Sequence, residues 1–476
     1  MIDLRTIRAR LAQVGQDHVL RFYDSLTPAG QQNLLTQIAS LDLESLPGLV
    51  ETYVRNKPRA EVPTDLRPAT YYPNNPDAAS RPWDRSAAYR RGEDLIRRGK
   101  VGAFVVAGGQ GSRLGFDGPK GCFPAGAVTG KPLFQVFAEN LLGAKDRYSV
   151  RVPWYIMTSP LNHDPTVAFF RDHDYFGLSR EDTMFFPQGV MPSFDIATGK
   201  VPLASKGEVA TNPDGHGGCI RALHVSGSLA DMQRRGIEHL SYFQVDNPVV
   251  RVLDPVFLGL HAGAPDSSAE MSSKMVPKAG PDEKVGVFCL AGGKLEVLEY
   301  SDLPPDLAKA RNPDGSLTYN AGSIAIHIMG VEFLQRLATD PRFALPFHRA
   351  EKKVPCIDPE SGEPITPAGN NGVKLEKFVF DALALARASI VYETDRVEEF
   401  APIKNATGVD SVQTSKQLQT LRAARWLESR GVSVPRTPGG DPDCTLEVSP
   451  RTATSAAELP VAGLPKAVER GARLAL

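Results

Sequence analysis

The sequence predicts an α/β protein with a mostly parallel central sheet covered by helices. Two observations carry this. From residue 101 onward the chain contains short, β-rich apolar runs: VGAFVVAGG, VPWYIMTS, DTMFFPQG, LSYFQVDNP and VGVFCL. Helical segments such as PLFQVFAENLLGAK and SLADMQRRGI lie between several of them. Strands alternating with helices imply parallel pairing, because each crossover lays a helix on a face of the sheet. Ligands of such sheets bind outside the carboxyl ends of the strands, where this chain also collects polar residues.

The elements follow in order. The N-terminus is amphipathic, and in TPAGQQNLLTQIASLDL Thr27 is placed to cap a helix opened by Pro28. Leu34, Leu35 and Ile38 fall on one face of that helix. RPATYYPNNPDAASRPWD, rich in Pro and Asn, reads as a linker or a wrapping loop. AAYRRGEDLIRRGK returns to helix before the strand-rich region begins. Near the C-terminus, PRTPGGDPDC and SPRTATSAAELPVAGLPK suggest a small appended region with a loosely ordered tail. The expected division is a helical N-terminal region with linker over 1–95, a central domain over 96–390, and a small C-terminal domain with tail over 391–476.

Composition narrows the class. A chain of 476 residues has room for two or three domains and a large core. A formal charge of -1, with no Lys/Arg block, gives no reason to expect nucleic acid or an anionic membrane as partner. The N-terminus lacks the apolar core of a signal peptide, and no run approaches a bilayer span. The five cysteines are scattered, without CxxC spacing, as in a reduced cytoplasmic protein.

The chemistry concentrates in VVAGGQGSRLGFDGPKG, residues 105–121. Glycines permit tight turns and close ligand approach, and Arg113 and Lys120 beside them suit a phosphate. GAVTGKP has the wrong spacing for a Walker A loop and contains a proline. Gly109, Gly111 and Gly115 form GxGxxxG rather than the dinucleotide fingerprint, and the next strand ends IMTS without the acidic residue that would hold a ribose. In LSYFQVDNPVV an apolar strand runs into Asp246, which is either a turn residue or a Mg²⁺ ligand facing the phosphate loop. NPDGHGG is a second glycine loop containing His216, and FFPQG places Gln188, whose amide could read a nucleobase edge, after another strand. No HxxxH or HExxH pairing points to a histidine metal site.

Taken together, GGQGSRLG…PKG, PWYIMTS, FFPQG, PDGHGG, VDNP, VGVF…EYS, NAGSIAIH, NGVKLEKFVFD and APIKNA occur in an order that resembles the UTP-dependent sugar-1-phosphate uridylyltransferases. The similarity extends from about residue 15 to 455, and the eukaryotic-type UDP-N-acetylglucosamine pyrophosphorylase branch is the best match. The resemblance implies a GT-A-like (Rossmann-like) nucleotide-binding domain flanked by a helical N-terminal region and a small C-terminal domain. It also implies that Ala107, Gly108 and Gly109 pack against uracil and ribose, with Gln188 and Gly215 completing the base pocket. By the same resemblance Arg113 and Lys120 hold the UTP phosphates, Asp246 ligates Mg²⁺ (or Mn²⁺), and Lys404 contacts the sugar phosphate. Gly286, Glu299 and Asn320 would face the sugar hydroxyls, and Phe378 and Phe380 would wall the sugar pocket. Leu375, Phe378, Val379, Ala382 and Leu383 have helical core spacing, so at least one of those phenylalanines reads as plain packing.

The implied reaction joins UTP and a sugar 1-phosphate into a UDP-sugar, releasing pyrophosphate. Its nucleophile is already ionised at neutral pH, so alignment and charge neutralisation suffice without a triad or general base. N-acetylglucosamine 1-phosphate is the first choice of sugar. The family motif NAGNIANH reads NAGSIAIH here, replacing two asparagines by Ser323 and Ile326, and GHG around His216 matches the glucose and broad-specificity branches. UDP-glucose, UDP-galactose or broad UDP-sugar synthesis is therefore the alternative. A UDP-sugar-dependent glycosyltransferase, which would normally carry DxD, and a non-enzymatic nucleotide-sugar sensor are more distant ones. Oligomeric state is not legible.

Overall fold

The computed structural model describes residues 3–58 and 62–476, and the chain divides into two units, neither continuous in sequence. One unit comprises Met1–Glu61, Gln188–Cys219 and Leu345–Val379; the other comprises Val62–Pro187, Ile220–Ala344 and Phe380–Leu476.

In the first unit, helix α1 (Leu4–Gln13) starts at Asp3, whose carboxylate accepts from the Arg5 and Thr6 N–H groups. Helix α2 (Pro28–Ser40) starts at Thr27, whose hydroxyl accepts from Gly30 N–H. Capping satisfies donors that have no partner inside the helix. Leu34, Leu35 and Ile38 are buried, as their spacing predicts, in a core with Ile7, Leu11, Phe194, Val373 and Leu375. A three-stranded antiparallel sheet of His348–Lys352, Gly372–Glu376 and Phe194–Asp195 supplies the other side of that core. This corrects the helical reading of KLEKFVFDALALA. Leu375 lies on strand Gly372–Glu376, and helical backbone begins only at Val379–Asp381 and Ala382–Leu385. Val373 and Leu375 are fully buried while Lys374 and Glu376 are not, so the two-residue period of a strand outcompetes the helical spacing.

The second unit is built on a ten-stranded sheet. Its strands are β1 (Arg67–Pro68), β2 (Val101–Val106), β3 (Trp154–Thr158), β4 (Thr183–Pro187), β5 (His239–Gln244), β6 (Met271–Pro277), β7 (Val287–Ala291), β8 (Lys294–Leu298), β9 (Ala321–Gly330) and β10 (Ser389–Glu393). The five runs singled out in the sequence are β2, β3, β4, β5 and β7. The main order is β1-β7-β9-β5-β2-β3-β4, with β8 on β7, and with β6 pairing both β9 and β10. Pairing is parallel from β5 through β2 and β3 to β4, and between β6 and β10. It is antiparallel at β1–β7, β7–β8, β7–β9, β5–β9 and β6–β9, so the sheet is mixed rather than mostly parallel. At β7–β8 the reason is local. Ala291 pairs with Lys294 across Gly292 and Gly293, at φ 55 and 77, a two-residue hairpin that leaves no room for a crossover helix.

Helices cover the sheet. In α4 (Leu133–Tyr148), Phe134, Phe137 and Leu141 pack with Val105, Trp154 and Phe243. Helices α3 (Arg85–Arg97) and α5 (Pro255–Gly263) cross closely, capped by Asp84 and Asp254. The Pro/Asn-rich passage is a wrapping loop: Tyr72 N–H donates to Val391 O at 2.9 Å and Glu393 N–H to Tyr72 O at 2.9 Å, covering the β10 edge. Helix α6 (Val412–Ser429) begins with a capping box between Ser411 and Thr414 and packs Trp426 and Leu427 against Leu446 and Val448. The tail is not loosely ordered. Arg473–Ala475 pairs in parallel with Thr445–Glu447, and Ala453, Leu459 and Val468 are buried in the core with Trp426 and Leu446, so a backbone ladder and packing together tie the segment down. Among the described residues no helix is long and apolar enough to cross a membrane.

Candidate active site

Strand β2 stops at Val106, and Ala107 N–H still donates to Met157 O at 2.7 Å, so the glycine loop leaves the sheet beside the end of β3. The loop closes on itself. Gly111 N–H donates to Gly118 O at 2.9 Å and Lys120 N–H to Gly109 O at 3.0 Å, with a short 3₁₀ turn at Ser112–Leu114. These bonds place Arg113 and Lys120 on one rim. Next door, Val245 N–H donates to Val106 O at 3.1 Å, which brings Asp246 alongside the loop. Ile403 N–H then donates to Asp246 O at 2.8 Å, so Lys404 follows directly. Asn247 reinforces this contact, donating to Glu399 O at 2.6 Å and accepting from Ala401 N–H at 3.1 Å.

Three separate chain segments thus enclose a cavity of about 430 Å³, within the range of small-molecule sites. Gly109, Gln110, Ser112, Arg113 and Leu114 form one wall, and Lys120, Asp246 and Lys404 complete it. Burial depresses the pKa of Lys120, and the neighbouring charges of Lys404 and Arg113 depress it further; Asp246 alone opposes them. Three cations and one carboxylate lining the cavity, partly withdrawn from water, form a site whose electrostatics improve when a polyanion enters. Lys404 also lies 3.4 Å from the Asp410 carboxylate and 5.6 Å from the centre of the Phe400 ring.

The other sequence candidates fall into separate groups. Gly109 lines the cavity, Ala107 is fully buried beneath it, and Gly108 lies between them. In the first unit, buried Gln188 precedes Gly189, whose O accepts from Asp214 N–H at 3.2 Å, next to Gly215. Gly215 has φ 82, and a Cβ there would sit 2.4 Å from Lys377 O, so its absence of side chain is a requirement of the fold. Phe378 stacks on His216, with centroids 5.1 Å apart, and on His348 at 4.3 Å. Val379 N–H donates to His216 Nδ1 at 3.1 Å, and burial pushes the ring's pKa down to about 4, so it is neutral. In the second unit, Phe380 is buried. Gly286 and Glu299 do come together: a Cβ on Gly286 would lie 3.5 Å from Glu299 Oε1. Gly286 O accepts from Ser323 N–H at 2.8 Å, and Asn320 lies three residues earlier in the chain than Ser323. Ile326 is packed in the core, so of the two departures from the family motif only half-buried Ser323 stands beside Gly286.

Two residues beside the cavity escaped sequence reading. Asp410, six positions beyond Lys404, carries no signal of its own because the turn that returns it is set by backbone bonds from Lys404 and Asn405 N–H to its carbonyl, at 2.7 and 3.0 Å. Asn162, three residues beyond PWYIMTS, belongs to none of the motifs read from the sequence and reaches the glycine loop only through the fold.

Comparison with known proteins bears on what this cavity serves. The family model described as UTP–glucose-1-phosphate uridylyltransferase matches residues 89–430. The chain belongs to this family. It is 39% identical to human UDP-N-acetylhexosamine pyrophosphorylase-like protein 1, over 97% of this chain and 95% of that protein. It is 33% identical to the UDP-N-acetylglucosamine pyrophosphorylase of Saccharomyces cerevisiae, over 89% of this chain and 91% of that one. The structure of uridine diphosphate N-acetylglucosamine pyrophosphorylase from Trypanosoma brucei, in complex with inhibitor, superposes with a TM-score of 0.82 at 26% identity, covering 98% of both chains. All the segments that enclose the cavity lie within the family match.

Proposed function

We propose that this chain is a uridylyltransferase that makes a UDP-sugar and pyrophosphate from UTP and a sugar 1-phosphate, with N-acetylglucosamine 1-phosphate as first-choice acceptor. The observation that carries the reading is the convergence of Arg113, Lys120 and Lys404 on one cavity under a glycine loop, in a chain of this family. A sugar-phosphate oxygen attacks the α-phosphorus of UTP as pyrophosphate leaves on the opposite side. Arg113 and Lys120 hold the nucleotide phosphates and Lys404 aligns the incoming sugar phosphate, so these groups supply positioning and charge neutralisation. Among the described residues no group of three or more His, Cys, Asp or Glu could hold a metal. One hard carboxylate, Asp246, facing a phosphate site fits Mg²⁺ (or Mn²⁺), which keeps waters and takes its remaining ligands from substrate. Bound there, the ion would offset charge on the phosphates.

The finer assignments belong to the same reading. By the family resemblance, Ala107, Gly108 and Gly109 would contact uracil and ribose, Gln188 and Gly215 would serve base recognition, and Gly286, Glu299, Asn320, Phe378 and Phe380 would serve the sugar. The parallel half of the sheet, with its polar strand ends, supports a GT-A-like catalytic domain. The expected spans 1–95, 96–390 and 391–476 do not coincide with the two units, because residues 188–219 and 345–379 join the N-terminal helices and 391–476 joins the unit built on the sheet. The scattered cysteines support a cytoplasmic setting. Pyrophosphate release from UTP and Mg²⁺ is the test, with N-acetylglucosamine, N-acetylgalactosamine, glucose, galactose, glucuronic acid and xylose 1-phosphates. Turnover on the acetylated sugars supports the assignment, preference for glucose or galactose moves the substrate, and no release despite bound UTP overturns catalysis.

A further inference from the structure

Asn162 is completely buried, yet its side chain is spent on backbone. Its Nδ2 donates to Ala107 O at 3.0 Å and to Gly109 O at 3.2 Å, the latter shared with Lys120 N–H, while its Oδ1 accepts from Ser159 N–H at 2.7 Å. Both amide protons and the amide oxygen are therefore engaged. A trans peptide points the carbonyl of one residue and the N–H of the next in opposite directions. Drawing the carbonyls of Ala107 and Gly109 toward the core thus turns the N–H groups of Gly108 and Gln110 outward, and Gln110 and Gly109 line the cavity on that side. Among the described residues neither of those N–H groups has an acceptor. We infer that Asn162 is a positioning residue: it holds the glycine loop so that the N–H groups of Gly108 and Gln110 are presented to the nucleotide. The nucleotide as ligand rests on the function proposed above; the pinning of the loop does not.

The experiment compares wild type with Asn162→Ala and with Asn162→Asp, which keeps the Ser159 bond and removes both loop donors. UTP affinity is measured by calorimetry, and amide exchange over 107–111 with and without UTP. Weakening of UTP binding by at least about tenfold in both variants is expected while they remain folded, with a lowered unfolding midpoint and faster exchange over 107–111 in the free variants. In wild type the Gly108 and Gln110 amides should exchange freely and become protected on adding UTP. Folded variants that bind UTP within twofold of wild type, or wild-type amides that gain no protection when UTP binds, would overturn the inference. If either variant fails to fold, the other and the wild-type protection decide. Failure of wild type to bind UTP would strike the nucleotide reading alone, because exchange in the free variants still reports the pinning.

Discussion

Lys120 shows what the site requires of single residues. Its ammonium is partly buried beside Arg113 and Lys404, and Asp246 offsets burial and like charge only in part, so a bound anion would offset the remainder. Lys120→Ala is therefore expected to lower kcat by roughly ten- to a hundredfold, the worth of one charge-assisted hydrogen bond. The unfolding midpoint should stay level or rise. Pyrophosphate-release kinetics and thermal unfolding of the same preparation check both arms. Asn162 is the converse: an uncharged side chain outside the cavity whose contribution is entirely directional.

At the scale of elements, two contacts hold the second unit's framework. Helices α3 and α5 approach so closely that a Cβ on Gly259 would lie 1.7 Å from Ala88 O, and backbone cannot swing aside as a side chain does. Gly259→Ala should force the helices apart and destabilise by about 3 kcal/mol, read as a lower urea midpoint. The second contact is ionic. Lys274 on β6, with no exposed side-chain surface, donates to Asp254 at 2.7 Å and to Glu399 at 2.5–2.6 Å, joining the start of α5 to the segment that leads to Lys404. Burial opposes the charge on Asp254, yet Lys274 and Arg251 hold its pKa far below the usual carboxylate range. Removing one partner strands the others, so Lys274→Ala should cost about 3–5 kcal/mol by chemical denaturation.

Across the whole molecule, burial holds the pKa values of His18, His216, His239 and His261 below the ordinary value of 6.5, His216 at about 4. These rings are neutral when folded and take up protons more readily when unfolded. Their stabilisation is complete above pH 6.5 and is lost as pH falls from 6.5 through the folded values. The unfolding midpoint should accordingly fall between pH 6.5 and 4. His216→Asn should shallow that fall in a pH series of thermal melts, because the subtraction leaves every other titrating group in place.

The sequence by itself determined the family, the five apolar strands, the capped helix α2 and the cluster of Arg113, Lys120, Asp246 and Lys404 as candidates. Each is written locally, as an apolar period, a capping residue beside a proline, or a motif whose residue types suit phosphate. Only the tertiary structure decided that residues 188–219 and 345–379 join the N-terminal helices in one unit, that the sheet is mixed, and that Asn162 lies under the glycine loop. Those outcomes depend on hydrogen bonds between residues distant in the chain, where one donor or acceptor looks like any other until the fold brings its partner into range. Even GxGxxxG shows the division: the glycines were plain to read, but which way the loop's N–H groups face was settled by bonds to its carbonyls, from Lys120 N–H within the loop and from a side chain more than fifty residues away.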